Sequence, residues 1–84
     1  MNAYYITFRS VTPAQKGESL LHKFGYRCIL QRTPRWMEEK GCGYCLRLHT
    51  DRIGEVTGLL RKNAVGYRKV YLLQPDGETE EIWV

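Results

Sequence analysis

The stretch AYYITFRSVTPAQ, Ala3 to Gln15, contains the change of pattern that decides the fold. Ala3 to Phe8 is a run of apolar, β-branched and aromatic residues, which suits a strand. Arg9 to Val11 leave that run. Thr12 then stands where a side chain can cap a helix, Pro13 at a first helical position that has no need of its N–H, and Gln15 where a capping box closes. The reading places the helix start at Pro13. Its inward face is Ala14, Gly17, Leu20, Leu21 and Phe24, at three- and four-residue spacing, and Gly25 ends it in the left-handed conformation.

Working outward, YRCILQR (26–32) reads as a second strand, TPRWMEEKGCG (33–43) interrupts the pattern, and YCLRLH (44–49) resumes it as a third. Thr50 and Asp51 are candidate caps for a second helix with the face Ile53, Val56, Leu59 and Leu60, ending near Asn63. YRKVYLL (67–73) is the fourth strand. The run β-α-β-β-α-β predicts an α+β, ferredoxin-like sandwich, with two right-handed crossovers placing both helices on one face of a four-stranded antiparallel sheet of order 4-1-3-2. One domain over 1–84 is expected. Residues 75–84 supply a turn at Pro75 to Gly77 and an acidic edge strand, a fifth, along strand four. Trp83 should then cover the sheet edge or the open face. Failing that, the tail would pair with a second copy of the chain.

Composition bounds the function. The chain has 84 residues, 43% of them hydrophobic and 26% charged. A chain of that size buries only about 60 to 65% of its unfolded surface, too little for a deep enclosed active site. The N-terminal residues lack the basic and apolar regions of a signal peptide, and no apolar run approaches the ~18 residues of a membrane span. A cytoplasmic protein without membrane contact is expected. Three cysteines, Cys28, Cys42 and Cys45, do not make a disulfide framework and leave at least one thiol free. The net charge of +4 hides a division: residues 1–74 hold all 13 basic residues against five acids, and the last ten add four acids and no base. A basic body suits an anion, an acidic protein or nucleic acid, and the acidic tail disfavours a long nucleic-acid track.

KGCGYCLRL, Lys40 to Leu48, admits three readings. As a C-x-x-C pair, Cys42 and Cys45 fit poorly: in thiol oxidoreductases such a pair opens a helix, whereas here it opens a strand, on which residues three apart face opposite ways. A zinc site would need four ligands, and beyond Cys42, Cys45 and His49 there is no second pair; no metal and no cofactor is expected. As the RNA-recognition strand motif, the stretch keeps Lys40, Gly41, Gly43 and Tyr44 but has Cys42 and Arg47 at two stacking positions. The alternation also turns Tyr44, Leu46 and Leu48 toward the core and Cys45, Arg47 and His49 to the open face. Nucleic-acid binding or a regulatory binding module is the alternative reading.

The third reading makes Cys42 a lone reactive thiol. An antiparallel third strand begins where the first ends, which brings Cys42 near Arg9, Ser10 and the amino end of the first helix. Arg35, Lys40 and Arg68 should lie toward the same rim. A helix amino terminus carries about half a positive charge and, with guanidinium groups, lowers a thiol pKa from ~8.5 toward neutrality. Gly41 and Gly43 allow a tight turn that leaves the sulfur accessible.

YYITFRSVTPAQ, QRTPR, GCG before a strand with LRL, and VYLL together resemble the small bacterial selenium/sulfur carrier-like proteins, over about residues 4 to 73. The resemblance points to Pro34 and Arg35 before the loop and to Cys42 and Gly43 on it, with Cys42 bearing the chalcogen. It implies a carrier or relay rather than an independent enzyme. A persulfide or selenopersulfide would be held on Cys42, with Arg9, Arg35 and Gly43 stabilising the anion. The implied partners are a donor such as a cysteine desulfurase and an acceptor enzyme of sulfur or selenium metabolism.

Overall fold

The computed structural model describes residues 2–34 and 43–84. The elements run β1 (Asn2–Phe8), α1 (Val11–Lys23), β2 (Cys28–Arg32), β3 (Tyr44–Thr50), α2 (Ile53–Lys62), β4 (Val70–Leu73) and β5 (Thr79–Ile82). All pairings in the sheet are antiparallel. The sheet order is not the four-stranded 4-1-3-2 but β2-β3-β1-β4-β5, which from the other edge is 5-4-1-3-2. The added strand arises locally. Gly77, at φ 90°, turns the chain after β4, its N–H donates to Gln74 O at 2.9 Å, and Gln74 N–H donates to Glu78 O at 2.7 Å. Asp76 Oδ1 takes the Glu78 N–H at 2.9 Å, as acidic turn residues do.

Alternation on β1 and β3 builds the core. Ile6, Phe8, Leu46 and Leu48 are completely or almost completely buried on the helix side, against Ala14 and Leu21 of α1 and Val56 and Leu60 of α2. Gly17 lets α1 approach the sheet. A Cβ there would stand 3.2 Å from both Leu46 Cδ1 and Phe8 Cζ, so hydrogen is all the site holds comfortably.

Several boundaries differ from those read in the sequence. α1 begins at Val11, with extended Ser10 as its N-cap and no side-chain capping bond, so Thr12 and Gln15 do not form the expected box. Pro13 falls on the third helical residue, still within the first turn where N–H groups lack helical partners. Phe24 is the C-cap and is 54% exposed, not part of the inward face. Tyr26 N–H reaches back to Leu21 O at 2.9 Å and Gly25 N–H to His22 O at 3.1 Å, a Schellman closure that uses Tyr26 and delays β2 to Cys28. At α2 the N-cap is Arg52, whose N–H donates to Thr50 Oγ1 at 3.0 Å; Thr50 turns the chain rather than capping the helix.

β4 starts late because Thr7 faces two residues. Thr7 N–H donates to Lys69 O, Arg68 N–H donates to Thr7 O, both at 2.8 Å, and Thr7 Oγ1 accepts the Lys69 N–H at 3.0 Å. This two-against-one pairing is a β-bulge.

α2 ends with the same closure as α1: Val65 N–H to Leu60 O at 2.9 Å and Ala64 N–H to Arg61 O at 3.1 Å. Here the left-handed position is Ala64, at φ 57°. A side chain there costs free energy that glycine avoids. Ala64→Gly is expected to gain about 1 kcal/mol, raising Tm by roughly 4–8 °C in a domain of this size. An unchanged or lower Tm would show that the conformation carries no strain.

Candidate functional site

The register assembles one end of the sheet. Phe8 pairs with Tyr44 and Arg32 with Tyr44, so the ends of β1 and β2 and the start of β3 lie together. One rung further, Thr33 N–H donates to Gly43 O at 3.0 Å, closing a neck between the described residues that precede and follow 35–42 in the sequence. Gly43 is buried at this neck and Pro34 half-buried, while Arg9, directly after β1, is exposed. Arg35, Gly41 and Cys42, with Lys40, lie outside the described residues.

The electrostatics of this end are one-sided. Arg9 and Ser10 lead into the amino end of α1, whose first turn contains no acid. Arg32 holds its guanidinium 5.8 Å from the centre of the Tyr44 ring, within cation–π range. Arg68 and Lys69 enter from the bulge, and Lys69 Nζ stands 3.7 Å from Glu81 Oε1. Among the described residues at this end, Glu81 is the acid against Arg9, Arg32, Arg68 and Lys69. The sequence alone predicts Arg9 and Arg68 at this rim and does not predict Arg32 or Lys69. Counting rungs back from the Thr33–Gly43 neck would have found Arg32. Lys69 depends on the bulge, which alternation does not signal.

The two described thiols are structural. Cys28 is buried on the helix face of β2; burial, and secondarily the Glu18 carboxylate, push its pKa from 9.0 to about 11. Cys45 is completely buried on the other face of the sheet, and burial raises its pKa as well, opposed by the Thr33 and Gln31 side chains. The Thr33 hydroxyl contributes little, because Thr33 Oγ1 is buried without a hydrogen bond of ordinary geometry. Neither sulfur has the exposure or the cationic surroundings of a nucleophile.

The other readings of KGCGYCLRL fare differently. Tyr44 packs against the core cluster on the helix side, so the aromatic ring retained from the RNA-binding motif is not on the open face. Arg47 does lie on the open face, where it stands over the Tyr5 ring at 6.0 Å. His49 is four residues along β3 from Cys45, about 13 Å of extended chain, too far to share a metal ion with it.

The family model described as "Putative Se/S carrier protein-like" matches residues 3–72. The chain belongs to that family. The match takes in both helices, β2, β3 and all of β1 but Asn2, and it stops within β4, one residue before Leu73. The β4–β5 turn and β5 lie beyond this Se/S carrier-like core. Comparison with curated proteins and with solved structures gives no match. Among the described residues no helix is long and apolar enough to cross a membrane.

Proposed function

We propose that this Se/S carrier-like chain holds a sulfane sulfur or selenium atom on Cys42 and relays it from a donor protein to an acceptor. The observation that carries the reading is the cationic end of the sheet around the Thr33–Gly43 neck, where Gly43 is the sequence neighbour of Cys42. Arg9, with Arg35 of the segment itself, would favour the thiolate over the thiol and then the persulfide anion, and Pro34, Gly41 and Gly43 would fix the path of the chain around the sulfur. The burial of Cys28 and Cys45 leaves Cys42 as the thiol suited to nucleophilic work.

The step is a transpersulfidation. The Cys42 thiolate attacks the terminal sulfur of a donor persulfide; the new bond is Cys42 Sγ–S, the bond broken is donor S–S, and the donor leaves as a thiolate. No net oxidation occurs. Transfer to the acceptor repeats the exchange with roles reversed, and selenium replaces the terminal sulfur without changing the balance. A cysteine desulfurase charged with cysteine is the donor class that presents such a sulfur. Thiols must stay reduced for this traffic, which places it in the cytoplasm.

The test is mass spectrometry of the protein after incubation with a cysteine desulfurase and cysteine. A gain of about 32 Da, or about 80 Da with selenium, is expected on the wild type and absent from Cys42→Ser, which should melt normally. Cys28→Ala and Cys45→Ala should still load. Iodoacetamide at pH 7 should label Cys42 well before the two buried thiols. An adduct persisting on the serine variant, or Cys45 reacting first, would move the site elsewhere.

A further inference from the structure

Trp83 is 86% exposed, contrary to the expectation that it covers the sheet. Its backbone is nonetheless fastened on both sides. Ile82 pairs with Val70 and packs against the core cluster. Val84 O accepts hydrogen bonds from Arg61 Nη1 at 3.0 Å and Tyr67 Oη at 3.5 Å, and Arg61 Nη1 donates to Tyr67 Oη at 2.6 Å. A large apolar side chain is thus held in water on an ordered backbone. Such preordered tryptophans, with arginines around them, are the residues that dominate binding energy at protein interfaces.

Its position gives the surface a partner. β5 is three strands from β3 in the sheet, so Trp83 stands about 14 Å from the Gly43 neck at the same end. The chain measures 29 × 28 × 20 Å, and an ordinary interface of about 800 Å² per partner covers both. Trp83 shares a shallow surface depression with Tyr67, Arg68, Lys69 and the Glu81 that pairs with Lys69, and Arg9 and Arg32 lie between it and the neck or beyond it, so that bases outnumber the acid along this end.

We propose that the Trp83 end of the sheet is the docking face for the persulfide-bearing donor protein, which presents an apolar pocket bordered by carboxylates. Trp83 fills the pocket, and the cations of the rim meet the carboxylates while the donor's sulfur approaches Cys42. The proposal rests on the carrier reading and adds to it a partner surface built by β5, outside the matched family core.

The experiment measures single-turnover loading of the full chain from two donors, a cysteine desulfurase charged with cysteine and glutathione persulfide, for wild type and Trp83→Ala. Loss of enzyme-donated loading by about tenfold or more in the variant, with the glutathione persulfide rate and the Tm unchanged, supports the docking face; added salt should slow the enzyme route alone. Equal rates for both proteins with both donors overturn the docking face and leave the carrier reading standing. Loss of both routes in the variant, or wild-type loading from glutathione persulfide alone, also overturns it. A wild-type dimer that dissociates in Trp83→Ala assigns the tryptophan to a second copy instead of a donor. Failure of the wild type to load from either source overturns the carrier reading and the docking face together.

Discussion

Gly17→Leu should destabilise the protein by about 3 kcal/mol or more, a large share of the stability a domain of this size possesses. The first added carbon already meets Leu46 Cδ1 and Phe8 Cζ at 3.2 Å and Leu60 Cδ2 at 3.4 Å. Phe8, Leu46 and Leu60 are themselves completely buried, so none can swing into solvent to make room. Three further carbons would have to push α1 off the sheet or force those side chains out of their rotamers. Gly17→Ala is the informative contrast. It gains about 1 kcal/mol of helix propensity and meets only the first contacts, so it should lie within about 1 kcal/mol of the wild type. Chemical denaturation of the three proteins decides the matter. A leucine variant as stable as the wild type would mean that the helix is not held by close approach at Gly17.

The second large effect is loss of stability in alkali. Cys28 titrates at about 11 in the folded chain against 9.0 ordinarily. A raised thiol pKa means that the fold prefers the protonated form. The stability this contributes is intact below pH 9 and is lost as pH climbs from 9 toward 11, where the unfolded chain has already released its proton. The slope is about 1.4 kcal/mol per pH unit, so the total is on the order of 2–3 kcal/mol. Cys45 and Tyr26 are raised as well, both chiefly by burial, and steepen the wild-type fall. Comparison with Cys28→Val isolates the one thiol: the variant's unfolding free energy should decline less steeply between pH 9 and 11. Parallel curves would show that the Cys28 thiol ionises normally within the fold.

The strands and helices were legible where a single period governed the sequence. Ile6 and Phe8 alternate cleanly, Ala14, Gly17 and Leu21 recur at helical spacing, and both followed the pattern into the core. The turn QPDGE was legible too, because aspartate and glycine do specific backbone work in it. Element ends were less so. Ser10 caps by its extended backbone alone, and Tyr26 is drawn into closing α1 instead of starting β2; both depend on three-dimensional hydrogen bonds that residue type does not announce. At the site, antiparallel topology sufficed to bring Arg9 beside Gly43. It could not supply Arg32, which needed the particular rung, and the expectation of cover for Trp83 failed because β5 ends at Ile82, one residue before the tryptophan, which is left beyond the sheet edge.

The bulge at Thr7 has one more effect, on parity. In an unbroken strand the side chains of Arg68 and Val70 would share a face, and Val70 points into the core. The extra residue shifts the count by one upstream of Val70, so Tyr67 packs against the core while Arg68 and Lys69 both face water. A single inserted position thereby separates inside from outside where β4 begins. Straightening the strand with both residues kept would drive the Arg68 guanidinium toward the apolar interior and the Tyr67 ring into solvent, whereas deleting either Arg68 or Lys69 would remove the bulge and leave Tyr67 facing the core.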